Sequence, residues 1–200
     1  MSSTFAIPVI GLTGGVASGK STVARIFREK AGIPVIDADH IARDLSREGG
    51  LAAPQILARF GTLDRGELRK KIFSNPLARK ELEAILHPLI AEESRKRVAE
   101  FARAGAPVAL YEAALLVETG RYKELDGLIV VEAPLEARLT RLIERDGITR
   151  EMALNMIQSQ ATDEQRAHVA TLLIQNDGDL HALEEKITPS LLDAGGPSKK

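Results

Sequence analysis

The feature that most narrows what this chain can fold into is Gly14-Gly-Val-Ala-Ser-Gly19-Lys20-Ser21. It lies between an apolar, β-branched run, Ile7 to Leu12, and a stretch of helical periodicity, Ser21 to Lys30. The pattern is G-x-x-x-x-G-K-[ST] in the strand-turn-helix setting that it requires. Glycines let the backbone wrap closely enough for its N–H groups to cradle phosphate oxygens, and a helix starting near Lys20 adds the positive end of its dipole. Gly14, Gly15, Val16, Ala17, Ser18 and Gly19 are therefore expected to hold phosphates. Lys20 is expected to bridge the outer two, and the Ser21 hydroxyl to be a ligand of Mg²⁺. Such a loop names a nucleoside triphosphate and leaves the reaction open.

A strand that runs into a phosphate loop needs further parallel strands beside it, and the rest of the chain supplies candidates. Ile33 to Ile36 ends in Asp37-Ala-Asp39 and opens a helical stretch, His40 to Arg47. Residues 54 to 104 are almost wholly helical in pattern, with Leu57, Phe60, Leu68, Ile90 and Val98 among the candidate buried positions. Val108 to Tyr111, Leu128 to Val131 and Leu172 to Ile174 are the next strand candidates. Three helices are expected between the last two, starting at Pro134, at Thr149 or Arg150, and after Thr162. A final helix starts near Leu180. Strands separated by helices argue for an α/β fold with a parallel sheet core. The expected division is a nucleotide-binding core (1–53, 105–134 and 169–194), a helical substrate-binding insertion (54–104), a helical lid (135–168) and a flexible tail (195–200).

Composition closes off other functions. The chain has 200 residues, 44% of them hydrophobic and 28% charged, which excludes disorder and collagen-like structure. Aromatics are only 4%, so stacking on bare bases is not expected, and a formal net charge of −1 gives no overall pull towards nucleic acid. The segment from Arg65 to Arg97 is locally basic; it reads either as solvated helix faces or as a wall for an anionic substrate. Cysteine is absent, which removes disulfides, thiolate zinc sites and cysteine nucleophiles. His40, His87, His168 and His181 lack metal-ligand spacing. No apolar run approaches the length of a bilayer span and the N-terminus has no basic leader, so the expectation is a cytoplasmic protein, a monomer or weak homo-oligomer, without membrane or nucleic-acid partners.

A GTPase would need Asn-Lys-x-Asp and a placed Asp-x-x-Gly, and the latter occurs only at Asp193-Ala-Gly-Gly196. For a mechanical ATPase, Leu110-Tyr-Glu112 and Val130-Val-Glu132 are weak imitations of a magnesium strand, and the chain is short. A small-molecule kinase needs an acceptor region, a carboxylate near the acceptor hydroxyl, and mobile cations. Asp37 and Asp39 follow the second strand, at the sheet edge where ligands collect, although one of them is expected to cap the next helix. Arg141, Arg145, Arg150 and Arg166 lie where a helical lid would carry them over phosphates.

These residues resemble the dephospho-coenzyme A kinase family over most of the chain. The landmarks are Leu12 to Thr22, Val35-Ile-Asp-Ala-Asp39 with Ile41-Ala-Arg43, Leu86-His-Pro-Leu-Ile90, Leu115-Leu-Val-Glu118, Arg141-x-x-x-Arg145-Asp146, Gln160-Ala-Thr162 with Arg166, and Asn176 before Gly178. The chain departs from the family in carrying Ala113-Ala114, where a proline is usual, and in a shortened Phe60 to Arg65. The resemblance implies ATP as phosphoryl donor and the ribose 3'-hydroxyl of dephospho-CoA as acceptor. It also implies Asp39 as general base, with Lys20 and Arg141 in the catalytic set and Thr22 beside the phosphates. Arg43 and His87 fall near the substrate, and Arg141 and Arg145 on the ATP phosphates. His87 also reads as a helix-boundary residue constrained by Pro88. Outside this family, the open alternatives are another nucleoside or nucleotide kinase, or a non-catalytic ATP switch.

Overall fold

In the computed structural model, which describes residues 5–73 and 75–195, five strands form one sheet in the order β2-β3-β1-β4-β5. The strands are β1 (Val9–Gly14), β2 (Val35–Asp37), β3 (Ala109–Glu112), β4 (Gly127–Glu132) and β5 (Leu172–Gln175). β1 pairs in parallel with β3 on one side and β4 on the other, and β4 pairs in parallel with β5. A central parallel strand is buried on both faces, which is why β1 and β4 read as continuous apolar runs rather than alternating ones. The parallel α/β core expected from the sequence is present. Each strand lies within about two residues of its expected position, the usual slack in element boundaries.

The chain divides into two compact units, residues 1–36 with 98–200, and residues 37–97. In the first, α1 (Lys20–Ala31) and α9 (Leu180–Gly195) pack on the sheet. Val23, Ile26 and Phe27 of α1 and Leu183 and Ile187 of α9 share a core with Leu12, Leu110, Val131 and Ile174. Burying a side chain of this size stabilises the fold by about 1.5–3 kcal/mol. A smaller cluster joins α6 (Leu135–Asp146) to α7 (Arg150–Gln158) through Leu139, Leu142 and Ala153, with Val16 and Ala17 of the glycine loop packed against it. α8 (Asp163–Val169) follows, started by a reciprocal capping box between Thr162 and Gln165. α9 continues through Gly195, the first residue of the expected tail; 196–200 lie outside the described residues.

The second unit contains α2 (Ala38–Ser46), α3 (Ala53–Phe60), α4 (Arg65–Phe73) and most of α5 (Pro76–Arg103). Asp37 is the residue that caps α2, its Oδ1 accepting from the His40 amide at 2.8 Å. Ile41, Leu45, Ile56, Phe60, Leu68 and Ile90 are buried. Leu57 is a correction: it is 50% exposed, because Ala53, Ile56 and Phe60 form the inward face of α3 and the next position rotates off it. α5 runs unbroken for 28 residues through Pro88, which removes one hydrogen bond within the helix.

Candidate active site

The glycine loop joins the carboxyl end of β1 to α1, and its conformation demands its sequence. Gly19 caps α1 with φ 95°, and Ala17 also has a positive φ, 61°, which is uncommon for a residue bearing a Cβ. A Cβ on Gly14 would collide with the Val131 carbonyl, and one on Gly15 with the Arg138 guanidinium. α1 begins with no side-chain cap and no acidic residue in its first turn. Its leading N–H groups and the positive end of its dipole are thus left for an anion.

The carbonyls of the loop are held from outside. Arg138 Nε donates to the Val16 carbonyl at 3.0 Å, Arg141 Nη1 to Ala17 at 3.1 Å and Asn176 Nδ2 to Ser18 at 2.7 Å. The Ser18 amide closes back on Gly15 at 3.0 Å, and the Val16 amide donates to Gln160 Oε1 at 2.7 Å. Across a planar trans peptide the N–H opposes the C=O. Pinning the Val16 and Ser18 carbonyls therefore fixes the directions of the Ala17 and Gly19 amides.

At the mouth of the loop stands Glu112, the last residue of β3, in register with Leu12 of β1. Only 5% exposed, it accepts through Oε1 from Lys20 Nζ at 2.6 Å and from the Ser21 hydroxyl at 2.8 Å. This carboxylate, an ammonium and a hydroxyl make a compact polar group at the end of the two strands. In the sequence Glu112 shows only as an acid closing an apolar run, a weak imitation of a magnesium strand. In the fold it meets the two residues that the loop motif itself singles out.

The arginines behave unequally. Arg141 is half-buried on the loop. Arg145 is exposed and forks onto Asp146 with two hydrogen bonds of 2.7 Å, a pairing that holds its pKa above the usual value. Arg150 pairs with Glu136 at the surface. Arg166, 1% exposed, is buried in ion pairs with Glu118 and Asp163. Arg138, which no motif pointed to, is 3% exposed; burial lowers its pKa, opposed by the Asp163 carboxylate.

In the helical unit, Asp39 lies in the first turn of α2 and Arg43 one turn on, both exposed. Arg43 Nη2 lies 3.3 Å from His40 Nδ1 and 3.8 Å from Asp37. His87 is half-buried on a different helix, α5. No helix among the described residues is long and apolar enough to cross a membrane.

A divalent cation and a triphosphate fit what is present. Ser21 and Glu112 offer the hard oxygen donors that suit Mg²⁺, which takes few protein ligands alongside phosphate and water. The buried Ser18 hydroxyl has no partner in the protein, and the glycine cradle has no room for side chains.

Comparison with known proteins agrees with this arrangement. The chain is 44% identical over 187 residues to the dephospho-CoA kinase of Geobacter metallireducens, covering 90% of this chain and 92% of that one. Among solved structures it is similar to TT1252 from Thermus thermophilus, with a TM-score of 0.80, 35% identity and coverage of 95% of this chain and 99% of that one. It is also similar to the dephospho-CoA kinase from Campylobacter jejuni, with a TM-score of 0.59, 25% identity and coverage of 93% and 96%. The family model described as CoaE, dephospho-CoA kinase, matches residues 8–182, all of the helical unit and most of the other, and the chain belongs to that family.

Proposed function

We propose that this chain transfers the γ-phosphoryl group of ATP to the ribose 3'-hydroxyl of dephospho-CoA, giving coenzyme A and ADP, the last step of coenzyme A biosynthesis. The observation that carries the reading is the Lys20–Glu112–Ser21 group at the open end of the glycine loop, on a chain of this family. In this reading a bond forms between the 3'-oxygen and the γ-phosphorus as the bond from that phosphorus to the β-bridging oxygen breaks. The hydroxyl proton passes to Asp39.

Phosphoryl transfer asks for positioning and charge neutralisation rather than covalent help from the protein. Residues 14–22 hold the phosphate chain, with Lys20 neutralising charge on the leaving oxygen. Arg141, already half-buried on the loop, is the near cation, and Arg145 has to leave Asp146 to reach phosphate. Mg²⁺, held by Ser21 with Glu112 near it, supplies further charge neutralisation on the phosphates when bound. Asp39 orients the acceptor hydroxyl and accepts its proton late in a loose transition state, so its position matters more than its basicity. Arg43 and His87 serve the acceptor, within a substrate-binding region covering 54–104. Residues 135–168 act as a lid that excludes water, since a kinase that admits water hydrolyses ATP.

The test is the rate of ADP formation from Mg-ATP with and without dephospho-CoA, with adenosine, AMP and shikimate as competing acceptors. Stimulation by dephospho-CoA alone, with coenzyme A appearing one-for-one with ADP, is the expected result. A flat response to every acceptor would leave a nucleotide-binding loop and remove the kinase.

A further inference from the structure

Behind the glycine loop lies a chain of charged groups that phosphate recognition does not itself require. Arg138 Nη1 lies 3.2 Å and 3.3 Å from the two Asp163 oxygens, and the nearer one also accepts from Arg166 Nη1 at 3.1 Å. Arg166 Nη2 reaches Glu118 Oε1 at 3.1 Å, which in turn accepts the Ala161 amide at 2.9 Å. Two nearly buried guanidiniums thus share one carboxylate that is itself 47% exposed. Buried Arg138 Nη2 and Arg166 Nε have no hydrogen-bond partner in the protein, which makes the arrangement costly. For fold stability alone, apolar side chains of similar volume in place of the whole group of charges would serve as well. What apolar side chains cannot supply is the Arg138 Nε donation to the Val16 carbonyl.

The peptide that Arg138 grips is the one that needs gripping. It leads into Ala17, whose positive φ is disfavoured for a residue with a Cβ and persists only where neighbours hold it. The Val16 and Ser18 amides are satisfied within the protein, but the Ala17 and Gly19 amides oppose the pinned carbonyls, and amides turned towards a common anion site repel each other when no anion is there. A peptide flip relieves the repulsion by turning a carbonyl inwards. We propose that Arg138, oriented by Asp163, is a positioning residue for ATP: it pins the Val16 carbonyl outwards and so keeps the Ala17 amide turned in before the nucleotide arrives. The proposal rests on the reading of the loop as an ATP site. The planar guanidinium is required because Nε and Nη1 must meet the Val16 carbonyl and Asp163 together, which a lysine ammonium at the end of a flexible stem does not do.

The experiment compares Arg138→Met, Arg138→Lys, Asp163→Asn and the Arg138→Met/Asp163→Asn double variant. Affinity for Mg-ATP is read by calorimetry, and the two KM values and Tm are measured alongside. Arg138→Met is expected to weaken ATP binding about tenfold to a hundredfold, the range for a charged hydrogen bond. KM for ATP should rise with it, while KM for dephospho-CoA stays within about twofold. Arg138→Lys should recover Tm but not ATP affinity. Asp163 is half exposed, so Asp163→Asn keeps the proposal testable if Arg138→Met does not fold. It should shift ATP affinity in the same direction, and the double variant should bind ATP about as Arg138→Met does. ATP affinity within twofold of the unmodified protein in Arg138→Met, full rescue by lysine, or additive losses in the double variant would each overturn the proposal. An unmodified protein that binds ATP but makes no coenzyme A would end the kinase reading and leave this comparison of ATP affinities intact.

Discussion

Around the glycine loop the charged side chains are buried and shared, with Arg138 and Arg166 at 3% and 1% exposure on a common carboxylate. Along α2 in the helical unit, Asp37, His40, Arg43 and Asp44 meet as pairs exposed to between 38% and 55%. Under the proposed function the contrast suits two different tasks. A triphosphate is recognised by backbone amides, whose directions have to be fixed in advance, and buried charge does that at a cost in desolvation. An acceptor alcohol is oriented by individual side chains, and exposed ones can adjust as it arrives. The first kind of site should fail abruptly when altered, and the second selectively.

Lys20→Ala and Asp39→Asn test that contrast with the largest effects. Lys20→Ala is expected to cost about 10³-fold in kcat/KM and to weaken ATP binding as well, since a half-buried donor to developing charge is lost. Asp39→Asn should lose transfer by about 10²–10⁴-fold with ATP affinity largely kept. An Asp39→Asn protein as active as the original would remove the base assignment and, with it, half of the comparison. Glu112→Gln comes next. It should keep the fold and raise the Mg²⁺ concentration needed for half-maximal rate about tenfold, as expected for a group hydrogen-bonded to the proposed metal ligand Ser21. An unchanged magnesium titration would confine Glu112 to its contacts with Lys20 and Ser21 and remove it from the metal's surroundings.

The smallest effect belongs to the exposed pair between Glu136 and Arg150. Arg150 holds the Glu136 carboxyl below its ordinary pKa, so whatever stability the pair provides is complete above the usual carboxylate range. It is lost as pH falls through the lowered folded value. Glu136→Gln should change Tm by no more than about a degree or two at neutral pH, and the difference from the unmodified protein should vanish in acid. A larger drop would mean that surface pairs on these helices matter more than their exposure suggests.

What could be read from the chain follows the same division. The strand-loop-helix unit was legible because one short segment carries periodicity, glycine placement and chemistry together, and the parallel order followed from alternating elements. That one aspartate of Asp37-Ala-Asp39 would be a cap was also legible; which one depends on backbone angles that only the fold sets. Glu112 was half visible, as an acid closing an apolar strand. Its partnership with Lys20 and Ser21 arises from strand order, which sequence spacing does not encode. Arg138 and Gln160 were not visible as loop contacts at all. Each reaches the loop across more than a hundred residues of chain, and an arginine on an amphipathic helix reads as a solvated one.

Because three successive loop carbonyls are tied from behind, the consequence of that tethering should appear in time as well as in affinity. A nucleotide meeting a loop already in its binding conformation has no slow rearrangement to wait for. The rate of the first phase of association, before any closing of the proposed lid, should rise linearly with concentration without a plateau, and analogues of different affinity should differ chiefly in how long they stay.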